Sequence, residues 1–561
     1  MKPLFRANAT AGKEIMGGIR EIITLINEHI PHYVAMNPTR AGAVPLNIKK
    51  TANIDSAGLG KGLENQSSVV ARSNNLNEIK IESPITQANS SGHNPQGKVA
   101  QRSKLDNTDA DPISMSTGEE LLTIAEGSLP GLLPFTWQRF YRTSACEEDL
   151  GLGYGWSHSL SHRLHFTDDA IVWHNDENQR TPFPYPNAEH PILTNVLGGA
   201  VLALGSHENE YCLTFGGGAG VYTFVREGEW GRLTTLSDKY HNRLQLEYDR
   251  QQRLIHLHHA QGRLLFQYTD DDSAHIAQVH LQALLREEAY RDAVWVTQQV
   301  LAHYTYNAAG QLVSALNACG EQEHYQYNEA HVITQRQLAG GACFNWAWEG
   351  VGPASRCIRQ YGNFAQLDTR YLWDDNQRQV TLRRCDGSQE IYQYDGQARL
   401  IFRRAANGAE TRHTYNEEGL RVSTTDALGQ QTRYFYDDAG NLVLELSPDG
   451  SMTRYTYLDG QLKRVAKGSG RLEQVWLNSI NEHGDIYAAR SPGEQVTEYD
   501  YFPNGQMRAV THPDGVTQTY RWDNVGRLLE STTSGGSVRR YRYTPLGTQP
   551  IAVTNEAGNT T

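Results

Sequence analysis

The chain has 561 residues, with 63 acidic against 51 basic side chains and a formal charge of −12. That acidity argues against a protein that coats nucleic acid, and no apolar run reaches the length needed to cross a membrane as a helix. The six cysteines stand singly and never as C-x-x-C, which fits a reducing cytoplasm without a disulfide framework or zinc knuckle.

Residues 1–40 carry one helical pattern. Ile15, Ile19, Ile22, Ile26 and Ile30 recur at steps of three and four, and Pro31 closes the run. No charged-then-apolar leader precedes it, so synthesis in the cytoplasm without a signal peptide is expected. Residues 41–108 are rich in Asn, Ser, Gly, Gln and Lys and hold no aromatic residue. Such a composition cannot offset its ordering entropy and is predicted to be a flexible linker.

Order is expected to resume near Asp111, and residues 109–240 form an opening domain. Within it Trp156, His158, Leu160, His162 and Leu164 alternate with Ser157, Ser159, Ser161 and Arg163, a strand pattern. His158, His162 and His165 could ligate a metal from a helix. On a strand His165 takes the other face, so packing or surface histidines are the expectation. His256, His258 and His259 show no ligand companion close in sequence and receive the same reading.

Residues 241–561 repeat themselves. Tyr394, Tyr415, Tyr436 and Tyr457 stand 21 residues apart, and Tyr501, Trp522 and Tyr543 keep that step. Tyr306, Tyr327 and Trp348 keep it upstream, and Trp373 precedes Tyr394 by the same interval. Most have an aromatic companion two residues earlier, such as Tyr304, Tyr325, Tyr392, Tyr434, Tyr455 and Tyr499; His413 breaks the rule before Tyr415. Aromatics at i and i+2 share one face of a strand. Gly387, Gly408, Gly429 and Gly450 run in step, two of them in Asp-Gly pairs suited to hairpin turns.

Each unit therefore reads as a β-hairpin, and the chain as an all-β antiparallel meander. The pattern blurs between Tyr268 and Tyr304 and around 470–490, where insertions are expected. Tyr434 and Tyr436 point one way, Arg433, Phe435 and Asp437 the other. With hardly any helical pattern to cover the aromatic face, the sheet is expected to bury it against itself by curling, closing or stacking. A propeller, with two units per blade, competes.

The unit Tyr434-Phe435-Tyr436-Asp437-Asp438-Ala439-Gly440-Asn441-Leu442 resembles the tyrosine–aspartate (YD) repeat of the Rhs proteins. Asp111-Pro112-Ile113, Thr117-Gly118-Glu119, the run from Leu133 to Tyr141 and Gly153-Tyr154-Gly155-Trp156-Ser157 resemble the opening of an Rhs core. The resemblance implies a hollow β-cocoon, belonging to a bacterial toxin often delivered by type VI secretion in interbacterial competition. It implies as partners a C-terminal toxin domain inside the shell and a secretion-spike protein contacted through the N-terminal segment. Self-association into a homo-oligomer is also entertained. The family's Asp-Pro-x-Gly-Leu motif is not found in this chain, so its autoproteolytic residues cannot be carried over. The expectation is a shell portion with the toxin domain absent.

No catalytic, cofactor-binding or metal-binding residue is assigned, and the chain is read as non-enzymatic. Gly216-Gly217-Gly218 and Gly58–Gly62 with Lys61 do not fit a phosphate-binding loop. Asp395, Asp437 and Asp523 recur after the repeat aromatics and are read as turn caps. Asp111-Pro112 marks a turn opening the core, with N-terminal processing, known in some Rhs proteins, as the sharper reading. Arg383, Arg384, Arg399, Arg403 and Arg404 read as a solvated face rather than a lumen lining or acidic-partner site. The rival function is a cell-surface carbohydrate-binding or adhesive module, which requires exposed rings.

Overall fold

The computed structural model describes residues 91–102, 108–109 and 111–561, except 196, 216–219, 271–272, 289–290, 365–366, 439, 459–460 and 469–471. The helix expected over 1–40, most of the linker over 41–108, Gly58–Gly62 and Gly216–Gly218 lie outside the described residues. Residues 91–102, assigned above to the linker, pack on the opening domain instead. Asn94 donates to Glu119 Oε2 at 3.1 Å, and Gln179 Nε2 donates to the Ala100 carbonyl at 2.9 Å. Polar side chains thus supply partners that composition alone could not reveal.

Among the described residues the chain forms 41 strands, and its helical pieces include short 3-10 turns at Thr143–Ala145 and Gly352–Ala354. From Ile192–Asn195 to Ala552–Thr554 each strand pairs antiparallel with the next, and among the described residues no register joins the last strand to the first. This single continuous ribbon excludes a bladed propeller. The strands at Arg163–Phe166, Ile171–His174 and Arg180–Phe183 branch from Trp230–Ser237 through the rungs Trp230↔His165, Gly231↔Leu164 and Arg232↔Arg163. The irregular stretch before Tyr304 is a long hairpin, Ile276–Glu288 with Arg291–Tyr306.

Turn chemistry follows from the repeat. The Arg384 amide donates to the Ser388 carbonyl and the Gly387 amide to the Arg384 carbonyl, each at 3.0 Å. This is a three-residue hairpin loop with a left-handed glycine. The other turn series uses aspartate. Asp437 Oδ1 accepts the Asn441 amide at 2.7 Å, Asp395 Oδ1 accepts those of Gln397 and Arg399, and Asp523 Oδ1 those of Val525 and Arg527. These are the turn caps expected of the repeat aspartates.

The aromatic face is covered differently from the sequence argument. A separate three-stranded sheet, Leu121–Leu129, Phe135–Arg142 and Trp156–His158, lays Trp137, Tyr141 and Trp156 onto the first half of the ribbon. They join one core with Leu301, Tyr304, Tyr325, Tyr371 and Leu382. The opening domain therefore acts as a second layer, because its alternating apolar residues need a partner face as much as the ribbon does. Farther on, a small separate cluster holds Leu420, Tyr434, Leu442, Tyr455, Leu462 and Val465.

The ribbon also returns upon itself. Asp485 accepts hydrogen bonds from Lys239 and Tyr240, which stand 246 and 245 residues upstream, and Asn242 Nδ2 donates to the Asn504 carbonyl at 3.0 Å. The Tyr240 ring lies directly on Gly505, and Leu546 lies on Gly262. Turns 481–485, 502–506 and 544–547 of the later ribbon thus sit against the Asp238-capped turn 238–242 and the turn 259–262 of the earlier one.

Candidate functional site

The strand Phe135–Arg142 is buried along nearly its whole length, so its charges must find partners inside. Arg139 Nε donates to Glu126 Oε1 at 2.6 Å, and the Tyr304 hydroxyl donates to the other Glu126 oxygen. Trp137 Nε1 donates to the Tyr304 hydroxyl at 2.9 Å, and the Arg139 guanidinium lies over the Trp156 and Tyr325 rings at 4.5 and 5.2 Å. Trp156 Nε1 donates to the Tyr327 hydroxyl at 2.9 Å. The Ile333 amide donates to the Tyr141 hydroxyl at 3.0 Å. The repeat aromatics at 304, 325 and 327 are therefore the anchors by which the opening sheet grips the ribbon.

The network continues to the start of the core. Glu323 accepts from Arg336 Nη2 at 2.9 Å and from the Tyr325 hydroxyl, and Arg336 Nη1 donates to Asp111 Oδ1 at 2.6 Å. Gln360 Nε2 holds the Asp111 main-chain carbonyl at 2.7 Å. Glu120, bridged to Ile113, is fully buried beside Asp111 and the Trp346 indole. Burial pushes the Asp111 carboxyl up to about 6 against the pull of Arg336. Burial, reinforced by Asp111, holds Glu120 well above the usual carboxylate range. Two acids with raised affinity for protons thus stand at the Asp111–Pro112 peptide bond, Asp111 at about 6 and Glu120 well above the usual carboxylate range. Nothing in the spacing of Glu126, Arg139 and Tyr304 marks them as a set; only the docking of two sheets unites them.

A second constellation is the repeat stitch. Tyr436 donates its hydroxyl to the Arg421 carbonyl at 2.7 Å, Tyr415 to Leu400 at 2.9 Å, Tyr501 to Ile486 at 2.8 Å and Tyr543 to Leu528 at 2.9 Å, each fifteen residues upstream. The indoles of Trp348 and Trp522 make the same bond to Ile333 and Met507, each at 2.7 Å. Near 478 the pattern looked broken, yet Trp476 follows Tyr455 by 21 residues, and Asn478 Nδ2 donates to the Leu462 carbonyl at 3.3 Å. Asn478 fills the second aromatic position, a unit legible from spacing once a non-aromatic donor is allowed there.

The histidines fall as follows. A turn at Ser159–Leu160 separates His158 from the strand Arg163–Phe166, so the expected single strand is two. His158 and His162 are buried, while His165 stacks on Trp230 with centroids 4.4 Å apart. His256 Nδ1 meets Glu247, its cross-strand neighbour, at 2.7 Å, and His259 Nε2 contacts the Pro130 carbonyl at 2.7 Å. No three His, Cys, Asp or Glu side chains converge on a metal-binding geometry among the described residues. The arginine cluster is split by the pleat. Arg384 and Arg403 share Glu390 on the aromatic face, Arg399 caps its own turn at Asp395, and Arg383 and Arg404 occupy the opposite face.

Two family comparisons match this chain. Residues 110–183 match a domain of unknown function, DUF6531, and residues 353–540 match the teneurin YD-shell. A curated relative, a probable deoxyribonuclease RhsB of Dickeya dadantii strain 3937, is 24% identical over 349 residues, covering 51% of this chain and 23% of that protein. The chain thus spans about a quarter of that relative's length. Among solved structures, TcdB2-TccC3-Cdc42 aligns over 75% of this chain and 24% of that one, at 12% identity and a TM-score of 0.35. The Tc holotoxin pore of Photorhabdus luminescens aligns over 74% and 27%, at 10% identity and a TM-score of 0.33.

Proposed function

Since this chain is an Rhs-type YD-repeat protein, we propose that it forms the wall of a container that encloses a C-terminal toxin for delivery into target cells. The observation that carries this reading is the return of the ribbon at Lys239, Tyr240 and Asp485, which brings turns 245 residues apart edge to edge. A sheet stitched to itself in this way surrounds a space rather than presenting a flat surface. Synthesis in the bacterial cytoplasm and export by type VI secretion, with the N-terminal segment on a spike protein, belong to the same proposal. The adhesive alternative needs exposed rings, but Tyr304, Tyr325, Tyr371, Tyr434, Tyr455 and Tyr499 are buried. Small-angle X-ray scattering of purified 1–561 tests the proposal. A pair-distance curve with a hollow or open-walled profile is expected, and a solid globule would overturn it.

The acids around Asp111–Pro112 favour a second reading, processing of the chain at that bond. The ionised Asp111 carboxylate would attack its own main-chain carbonyl carbon as the bond to Pro112 breaks. Glu120, whose burial favours its protonated form, would supply the proton to the departing proline nitrogen, and water would open the resulting anhydride. Intact-mass measurement should find a chain beginning at Pro112 and lose it in Glu120→Gln and Asp111→Asn. An uncut parent protein would refute this reading without touching the container.

A further inference from the structure

The face of the ribbon opposite the opening domain has a charge pattern at odds with the acidity of the chain. Arg359, Arg370 and Arg383 lie directly opposite one another on three successive strands. Their neighbours Gln360, Tyr371 and Leu382 point inward and are buried. The registers Ile391↔Arg404, Phe402↔Arg412 and Ser423↔Arg433 place three more arginines on the same outer face. The strip therefore crosses eight strands, about 35 Å at the usual spacing. It includes the acids Asp368, Asp374 and Glu410, so cations predominate.

Like charges opposite one another weaken a sheet, so folding gives no reason for the row. Asp368 holds Arg359 through two bonds of 2.8 and 2.7 Å, and Glu410 pairs with Arg404 and Arg412. Arg383 and Arg433 are exposed and form no ion pair among the described residues, and Arg370, also exposed, attracts Asp368 without a direct ion pair. All six cations are arginines, whose planar fork matches phosphate oxygens in pairs. Between them apolar side chains reach solvent, Leu372 at 44% exposure and Phe435 at 42%. Guanidinium groups interleaved with exposed aliphatic and aromatic tips suit a surface with phosphates outside and hydrocarbon beneath.

We propose that this outer strip docks the protein on an anionic phospholipid bilayer. The test is co-sedimentation of the full chain with vesicles of phosphatidylglycerol and phosphatidylcholine, and with phosphatidylcholine alone, at near-physiological salt. Binding is expected only to the mixed vesicles and should weaken as salt rises. The double variant Arg370→Gln/Arg383→Gln should bind about thirtyfold more weakly. It should melt no lower than the parent, because a like-charge contact is removed. Phe435→Ser, at an exposed position, should weaken vesicle binding while leaving the fold intact. Failure to sediment with the mixed vesicles, or unchanged binding in both variants, overturns the proposal. So does arginine-dependent binding to duplex DNA in place of vesicles.

Discussion

The hydroxyl of Tyr436 donates to the backbone carbonyl of Arg421, 2.7 Å away and fifteen residues upstream. Arg421 opens the preceding strand, whose rungs to the Tyr436 strand begin only at Ser423. The tyrosine thus satisfies a carbonyl just outside the regular rungs of that pair. This explains why tyrosine and tryptophan interchange at the second aromatic position of the repeat. Each carries one donor at the tip of a flat apolar body.

Tyr436→Phe keeps the ring and removes the donor. It is expected to cost about 1 kcal/mol in urea unfolding, the usual net worth of one such bond. Tyr434→Ser/Tyr436→Ser also empties the small cluster around Leu442 and should cost several-fold more. Limited proteolysis should then cut first near 420–460; unchanged resistance would contradict the packing described.

Arg139 is almost wholly buried, and its Nε bonds Glu126 at 2.6 Å. Glu126→Ala should destabilise by about 3–5 kcal/mol, because the buried guanidinium keeps only its longer contact to Glu323, at 3.4 Å. Arg139→Met/Glu126→Leu, which removes both charges, should recover much of that loss. Thermal unfolding of the three proteins decides between a charge penalty and a simple packing defect.

Acid should loosen the opening domain. Burial holds His158 down at about 3 and His174 at about 2, so both stay neutral when folded and take up protons when unfolded. Their contribution is full above 6.5 and is lost as pH falls below it. Asp111 opposes this. Its folded value of about 6 lies above the usual 3.8, so its contribution is present below 3.8 and lost as pH rises through 6. Burial also holds His162 well below its ordinary value and Glu120 well above its own, so three histidines against two acids predict a lower melting temperature at pH 5 than at pH 7, and His174→Gln should flatten that difference.

Gly505 and Gly515 offer a matched pair. Both are left-handed, with φ of +87° and +83°, but a Cβ at Gly505 would lie 2.2 Å from the Tyr240 ring, whereas Gly515 has nothing within 4 Å. Alanine at either should cost about 1 kcal/mol of backbone strain. Only Gly505→Ala should also speed hydrogen exchange at 238–242 and 481–506. Equal exchange in the two variants would count against the contact between successive passes of the ribbon.

The 21-residue period, the i and i+2 aromatics and the Asp and Gly turn residues determined the all-β class, the hairpin unit and the orientation of its faces. Each depends on residues within one hairpin of each other. The unit at Trp476 and Asn478 was hidden only because an amide replaced the expected ring. Tertiary structure alone decided what the aromatic face packs against. Tyr304 meets Trp137 across 167 residues, and Glu323 meets Arg139 across 184. The meeting of Asp485 with Tyr240 was equally hidden, since it depends on curvature accumulated over 245 residues. Strand pairing is local and periodic and can be read along the chain. Sheet-to-sheet docking depends on the summed twist of many strands, which no short stretch of sequence records.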